Sequence, residues 1–388
     1  MGTYTYQDDG TRAAVFATVG RVVIKVGTRL LRDASSNDTS RRIRQLVQAL
    51  HGLRQRGIEV LLVSSGAVGF GMTALQTEKR PRKIAELQAH AAVGQSLMMR
   101  CYEDACEDLG FHCAQILLTA ADLHDLDRNR HVVQCLNALL EAGVLPIINE
   151  NDSVCVDEIK VGDNDTLAAY VATMLRADLT ILLTTVDGLR ENLPGQKSLG
   201  PRISVVPELT SELIQMARGT DGNQFSVGGM ITKLKAAQIV TACGEPLMIA
   251  HGQDFAILEQ ILSGEDVGTL FLSGRKQRMH ARQRFLAFFS EPAGCLVVDA
   301  GAEKALCQQN TSLLPGGILG VSGAFHRGDT VKIVNTARQE LARGIVNLAY
   351  DEVARICGAQ SSDLDKYLGH AVDAKVIVHR NYLVLTCP

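Results

Sequence analysis

The sequence has 388 residues, enough for two or three domains, with 46% hydrophobic and 21% charged side chains. This balance excludes a disordered chain, a collagen-like fibre and a coiled coil. The net charge is −3, so the chain does not have the excess of positive charge that is typical of nucleic-acid binders. The ten cysteines are scattered singly without a CxxC pair, which argues against a disulfide framework or a zinc site and predicts reduced thiols in a cytoplasmic protein.

The N-terminal residues carry little structural signal. Their one apolar stretch, over 13–19, is too short to span a bilayer, and Arg21 and Lys25 interrupt the apolar residues after it. We therefore expect residues 1–20 to form a flexible extension, and we expect no contact with a membrane.

Strand-like and helix-like patterns alternate between about residues 21 and 272, and we assign 21–273 to a first domain. Continuous apolar runs predict buried strands at 22–26, 58–63, 113–118, 144–148, 179–183, 246–250 and 267–272. Apolar residues at helical spacing predict helices at 43–53, 83–109, 129–142, 166–176, 230–243 and 254–262. This alternation predicts an α/β fold, with an open and mostly parallel sheet sandwiched by helices.

The pattern changes near residue 273. Residues 275–284 carry five lysines or arginines and no acid, and we interpret 274–290 as a basic, solvated linker, with RNA contact as the alternative. Over 291–388, short strands alternate with glycine turns, which predicts a small β-rich domain. Nine basic and ten acidic residues balance in that domain, so it lacks the positive surface expected of a nucleic-acid binder.

Two lysines stand beside glycines that would let a phosphate approach the backbone. Lys25 lies in the first buried-type strand and Gly27 follows it, although a lysine that reaches to solvent from an edge strand is the alternative. Lys233 lies in the first turn of a helix that follows a glycine pair, where a cation opposes the helix dipole unless a polyphosphate is bound. The strand that runs into residues 64–71 either offers backbone N–H groups to an anion or forms a plain turn.

Polar residues concentrate after the strand that ends near Ile148. The stretches 149–152 and 163–165 carry more amides and carboxylates than one helix cap needs, so they suit recognition of a substrate ammonium and orientation of a metal or a lysine. After the next strand, Thr184 and Thr185 either form a simple turn or hold a nucleotide. The sequence shows no Ser/His/Asp order, no paired histidines and no zinc spacing.

These motifs together resemble the amino acid kinase family, over about residue 21 to the end of the chain. The resemblance is carried by VVIKVGT, VSSGAVGFG, AAVGQ, INENDSV, EIKVGDNDTL and SVGGMITK, and INEND followed by KVGDND is its specific part. The C-terminal part is similar to the PUA domain through SLLPGGI, RGDTVKI, ELARGIVN and VIVHR. The resemblance implies ATP-dependent phosphorylation of the side-chain carboxylate of glutamate, the first step of proline synthesis, with Mg²⁺ bound mainly through the ATP phosphates.

The resemblance also implies roles for individual residues. Lys25 and Lys233 would contact the transferred phosphate, and Asp165 would organise the two lysines. Glutamate would be held by Ser65, Gly66, Asn149, Asp152, Lys160 and Asn164. The nucleotide would be bound by Lys25, Gly27, Thr184, Thr185, Ser226, Val227, Gly228, Gly229, Met230, Ile231, Thr232 and Lys233. The chain departs from the family at Arg29, where members commonly carry Ser, and at Thr185, where they often carry Asp.

A carboxylate acceptor is consistent with the lack of a catalytic histidine or cysteine. The glutamate side chain has an ordinary pKa of about 4.3, so it is ionised at neutral pH and needs no general base. Two alternatives stay open: another kinase of the family acting on acetylglutamate, aspartate, carbamate or UMP, and an RNA-binding protein acting through the C-terminal domain. The resemblance further implies a homo-oligomer and feedback inhibition by proline.

Overall fold

The computed structural model describes residues 4–5, 7–8, 10–31, 39–154, 164–191, 200–218, 229–275, 277–309, 311–360, 367–368 and 376–386. The chain divides into two compact units. The first unit comprises residues 1–123 and 127–278, and the second comprises residues 124–126 and 279–388. None of the helices in the described ranges is both long enough and apolar enough to cross a membrane.

The first unit is built on an eight-stranded sheet. Its strands are β1 (Arg21–Val26), β2 (Glu59–Val63), β3 (Cys113–Leu118), β4 (Leu145–Glu150), β5 (Leu179–Thr184), β6 (Val205–Val206), β7 (Leu247–His251) and β8 (Thr269–Phe271). They lie in the order β3-β4-β2-β1-β5-β7-β8-β6, and each neighbouring pair is parallel except β7 with β8. The predicted α/β class with a mostly parallel sheet is confirmed.

Helices connect these strands. They are α1 (Thr11–Phe16), α2 (Thr28–Leu31), α3 (Thr39–Gln55), α4 (Ala67–Ala74), α5 (Ile84–Glu107), α6 (Ala120–His124), α7 (Leu126–Glu141), α8 (Asn164–Leu175), α9 (Ser211–Arg218), α10 (Met230–Ala242) and α11 (Ile257–Leu262). In β1, Ile24 and Val26 point into a core that also contains Leu46 of α3. Because side chains alternate along a strand, Lys25 points to the opposite face of the sheet.

Part of the predicted flexible extension forms a helix. Residues 11–16 form α1, and the side chain of Arg12 is fully buried. Its guanidinium donates to the backbone carbonyls of Val267 at 2.7 Å, Ser204 at 2.8 Å and Gly268 at 3.0 Å. The prediction is wrong for this helix because three carbonyls from distant parts of the chain satisfy the charged side chain, and a local pattern does not reveal them.

The predicted basic linker over 274–290 is also corrected by the structure. Arg278 still belongs to the first unit, where its Nη2 lies 2.9 Å from Asp178 Oδ1. Beyond it, α12 (Ala281–Arg284) continues into a π-helical turn, Phe285–Phe289. Arg284 is 2% exposed, and its Nε donates to the carbonyl of Met279 at 2.8 Å. The apolar residues interleaved with the basic ones pack this segment into the second unit instead of leaving it in solvent.

The second unit is a five-stranded sheet with its own core. Its strands lie in the order β10-β9-β11-β12-β13 and comprise β9 (Gly294–Val298), β10 (Ile318–Gly323), β11 (Thr330–Val334), β12 (Glu340–Val346) and β13 (Val378–Leu385). Two helices that the sequence did not predict, α13 (Ala300–Gln309) and α14 (Tyr350–Ile356), accompany the sheet. Leu306 and Ile356 from these helices join Leu296 and Ile333 from the strands in one core.

Candidate active site

The predicted site residues meet where parallel strands end. Strands β4, β2, β1 and β5 are adjacent and parallel, so their carboxyl ends share one edge of the sheet. Lys25 lies near the end of β1, Asn149 near the end of β4 and Thr184 at the end of β5, while β2 runs directly into Ser64 and Ser65. Open α/β sheets bind their ligands at this edge.

A buried ion triad lies at this edge. Asp165, in the first turn of α8, is fully buried, and Lys25 Nζ lies 2.7 Å from its Oδ1. Lys233 Nζ lies 2.9 Å from its Oδ2, and the Thr232 hydroxyl donates to the same oxygen at 3.0 Å. Two ammonium groups and one carboxylate leave a net charge of +1. The structure therefore brings together the three residues that the sequence placed in catalytic roles.

Opposing effects act on the Asp165 carboxyl. Burial alone raises its pKa, but the positive charges of Lys25 and Lys233 outweigh burial, and the pKa of Asp165 lies below its ordinary value. Asp165 is therefore ionised at neutral pH, and it holds the two ammonium groups in fixed positions.

The backbone beside the triad leaves room for an anion. A Cβ added to Gly27 would lie 3.7 Å from Lys25 Nζ, so a side chain there would fill the space next to the ammonium group. Helix α10 begins at Met230 with Gly229 as its N-cap, and no side chain of the described residues caps its first N–H groups. Uncapped N–H groups at the start of a helix are donors for phosphate oxygens.

The remaining predicted nucleotide residues are distributed around the same edge. Thr184 is half-buried at the end of β5, and Thr185 is exposed in the bend after it. Gly229, Met230, Ile231 and Thr232 are half-buried at the start of α10. The predicted positions Ser226, Val227, Gly228 and Lys160 lie outside the described residues.

A cluster of neutral amides and hydroxyls lies beside the triad. The Asn164 Nδ2 atom donates to Ser65 Oγ at 2.6 Å, to the Ser64 carbonyl at 2.9 Å and to Asn149 Oδ1 at 2.9 Å. Asn149 is 2% exposed, and its own Nδ2 donates to Gln95 Oε1 at 3.0 Å. This cluster borders on the triad because Asn164 and Asp165 are consecutive residues.

A cavity of about 720 Å³ opens next to this cluster. Ser65, Gly66 and Thr28 lie on its wall. Gly66 has a φ of +117°, which favours glycine, and it precedes α4, whose N-terminus no side chain caps. Helix α4 can lie close to α5 because Gly94 has no side chain. A Cβ at this position would clash with the carbonyl oxygen of Ala67. The cavity therefore has hydroxyl and backbone N–H donors on one side.

The predicted acceptor residue Asp152 is half-buried in the turn that directly follows β4. Sequence reasoning missed Gln95 as a member of the cluster, although this residue ends the AAVGQ motif. A signal was available: Gln95 lies on the same helical face as three buried residues of α5, Ala91, Met98 and Tyr102. A polar side chain at a core position of a helix indicates a specific hydrogen-bond partner.

The class of this protein follows from its similarity to known proteins. The chain belongs to the amino acid kinase family, whose model matches residues 20–251, and a PUA domain model matches residues 294–368. Glutamate 5-kinase from Moorella thermoacetica is 43% identical over 365 residues, which are 94% of this chain and 96% of that protein. Glutamate 5-kinase from Trichlorobacter lovleyi is 43% identical over 374 residues, which are 96% of this chain and 99% of that protein.

Carbamate kinase from Giardia lamblia bound to AMP-PNP is 17% identical, with a TM-score of 0.49, and the match covers 66% of this chain and 99% of that one.

Proposed function

We propose that this protein transfers the γ-phosphate of ATP to the side-chain carboxylate of L-glutamate and forms L-glutamyl 5-phosphate, the first step of proline synthesis. The observation that carries the proposal is the Lys25–Asp165–Lys233 triad beside a cluster of neutral amides and hydroxyls around Asn164. The similarity to glutamate 5-kinases over nearly the full length supports glutamate as the acceptor.

The cavity wall at Ser65 and Gly66, together with Asn164 and Asp152 near it in the fold, offers groups that match the amino acid end of glutamate. Ser65 Oγ accepts a hydrogen bond from Asn164, so the hydroxyl hydrogen is left to donate to a carboxylate. The uncapped start of α4 adds backbone N–H donors for the same carboxylate. Asp152 and Asn164 Oδ1 would accept from the α-ammonium group, which is a compact cation with three donors.

The reaction needs no proton transfer to begin. The glutamate side chain is ionised at neutral pH, and one of its oxygens attacks the γ-phosphorus while the bond to the bridging oxygen of ADP breaks. Negative charge on the transferred group and on ADP is stabilised by the Lys25 and Lys233 ammonium groups. Asp165 holds both lysines in position before the substrates arrive, so little reorganisation is needed during the reaction.

Mg²⁺ would enter this site with the nucleotide. Both oxygens of Asp165 face lysine ammonium groups, so this carboxylate is committed to the triad. We therefore assign the metal to the ATP phosphate oxygens, where it would neutralise part of their charge.

The proposal also covers the role of the second unit, the oligomeric state, regulation and cellular location. We infer that the second unit modulates the kinase or its assembly, because each proposed site residue belongs to the first unit. The proposal includes a homo-oligomer, feedback inhibition by proline at or beside the pocket, and a reducing, cytoplasmic location consistent with scattered single cysteines.

An acceptor panel tests the proposal. Purified protein with ATP and Mg²⁺ is assayed for ADP release with glutamate, acetylglutamate, aspartate, carbamate or UMP, and acyl phosphate is trapped with hydroxylamine. We expect release and hydroxamate formation with glutamate, and reduced release when proline is added. Preference for another acceptor would assign the site to a different kinase of the family.

A further inference from the structure

Gln95 is a buried polar residue to which the proposed reaction gives no role. It is 8% exposed and lies in the middle of α5, a 24-residue helix. Its Oε1 accepts from Asn149 at 3.0 Å, while its Nε2 is buried with no hydrogen-bond partner among the described residues. A buried amide with an unsatisfied amino group destabilises a protein relative to an apolar side chain of the same shape. Among the described residues, the oxygen is therefore the part of the Gln95 amide that forms a hydrogen bond.

The orientation of Asn149 is set by a backbone group. The N–H of Glu150, which can only donate, lies 2.9 Å from Asn149 Oδ1. This contact fixes the oxygen end of the Asn149 amide, so the amino end must face Gln95. Without an acceptor at Gln95, the buried amino group of Asn149 would lose this hydrogen bond.

The orientation of Asn164 is set in the same way. The Ser64 carbonyl and Asn149 Oδ1 both accept from Asn164 Nδ2, and a carbonyl cannot donate. The Asn164 amino group must therefore face these two oxygens. Among the described residues, the Asn164 Oδ1 atom has no hydrogen-bond partner, so it is available to a ligand.

We propose that Gln95 is a positioning residue for the phosphate acceptor. Through Asn149, it holds the Asn164 amide in the one orientation that leaves Asn164 Oδ1 and the Ser65 hydroxyl hydrogen for the substrate. This inference rests on the proposed function, because the acceptor that it concerns is the ammonium and carboxylate end of glutamate.

The test separates the two substrates kinetically. Gln95→Met keeps the length of the side chain and removes the acceptor oxygen. We expect the KM for glutamate to rise at least about fivefold, while the KM for ATP changes less than about twofold. Gln95→Glu keeps an acceptor oxygen whether it is ionised or protonated, so it should bring the KM for glutamate to within about threefold of the original value.

Tyr102→Phe is the matched structural control on the same helix. Tyr102 is fully buried, and its hydroxyl lies 2.8 Å from Ser64 Oγ. Removing this hydroxyl deletes a buried hydrogen bond but leaves the side-chain amides of Gln95, Asn149 and Asn164 in place. We expect a lower Tm for this variant and a KM for glutamate within about twofold of the original.

Several results would overturn the positioning role. They are an unchanged KM for glutamate in folded Gln95→Met, a parallel rise of both KM values, or no recovery in Gln95→Glu. Should Gln95→Met not fold, Gln95→Ala is assayed in its place, and failure of both to fold would show a structural role instead. Absence of glutamate-dependent ADP release from the unmodified protein would contradict the proposed function itself.

Discussion

The proposed phosphate side of the candidate site and its proposed acceptor side use different interactions. On the phosphate side, Lys25, Asp165 and Lys233 form buried ion pairs at 2.7 and 2.9 Å. On the proposed acceptor side, Asn164 and Ser65 belong to a neutral network of hydrogen bonds, and the charged Asp152 lies in the turn after β4. Charge lowers the energy of a transition state in which phosphate oxygens and a leaving group gain charge, whereas a neutral network orients a bound molecule. The two sides should therefore respond differently to substitution.

Lys25→Ala should have the largest effect, and it tests the phosphate side. Loss of one cation that faces developing charge lowers kcat by about 10²–10³-fold, and the KM for glutamate should change far less. The measurement is steady-state ADP release at varied glutamate. Lys235→Ala removes an exposed lysine from α10 and is the matched control, with normal kinetics expected. Unchanged turnover in folded Lys25→Ala would remove the lysine from the mechanism.

Asp152→Asn tests the acceptor side. It keeps the size of the side chain and removes the charge that we assign to the substrate ammonium group. Loss of such a pair corresponds to about 2–5 kcal/mol, so the KM for glutamate should rise at least about thirtyfold while the KM for ATP is nearly constant. A shift in the ATP value instead would place Asp152 on the nucleotide side.

Asp165→Asn tests the ion triad through the pH dependence of the protein's stability. Because the lysines lower the pKa of Asp165 in the folded protein, its ionisation adds stability in full above about pH 4, the ordinary aspartate range. That stability is lost as the pH falls through the lowered folded-state pKa. Asparagine does not ionise, so the variant should be less stable at pH 7 and should lose less stability below pH 4.

Urea unfolding of both proteins between about pH 2 and pH 7 gives this comparison. Other carboxyls with lowered pKa values, such as Asp122, Asp187 and Asp266, are present in both proteins and cancel in the difference. Identical pH slopes for the two proteins would show that the triad does not bias the ionisation of Asp165.

The smallest expected change comes from removing the second unit. A chain that ends after Arg278 keeps the buried core of the sheet and each proposed site residue. We expect kcat and both KM values to stay within about twofold of those of the full chain. Ending the chain at residue 272 would delete the Arg278–Asp178 contact, so it serves as a less stable comparison. Loss of activity in a folded protein ending at Arg278 would give the second unit a part in catalysis.

Much of the fold could be predicted from local pattern. The run at 58–63 predicted β2, and apolar spacing from Ile43 to Leu53 predicted α3, because each element buries a repeating face. The burial of Arg12 could not be predicted from local pattern, since the carbonyl groups that accept from its guanidinium lie more than 190 positions away in the sequence. The helical turn at 285–289 was not predicted either, because we interpreted the basic residues before it as a solvated linker. Three of the five apolar residues of this turn are buried.

The sequence by itself determined the α/β class and predicted which residues carry the chemistry. Lys25, Asp165 and Lys233 were identified from lysine–glycine and polar motifs and from the family that those motifs resemble. Only the tertiary structure decided how these groups pair and which side chains support them. Lys233 meets Asp165 across 68 positions, and Gln95 meets Asn149 across 54. Such pairings depend on the order of strands in the sheet and on helix packing, because hydrogen bonds need atoms within about 3 Å and a motif specifies only neighbours along the chain.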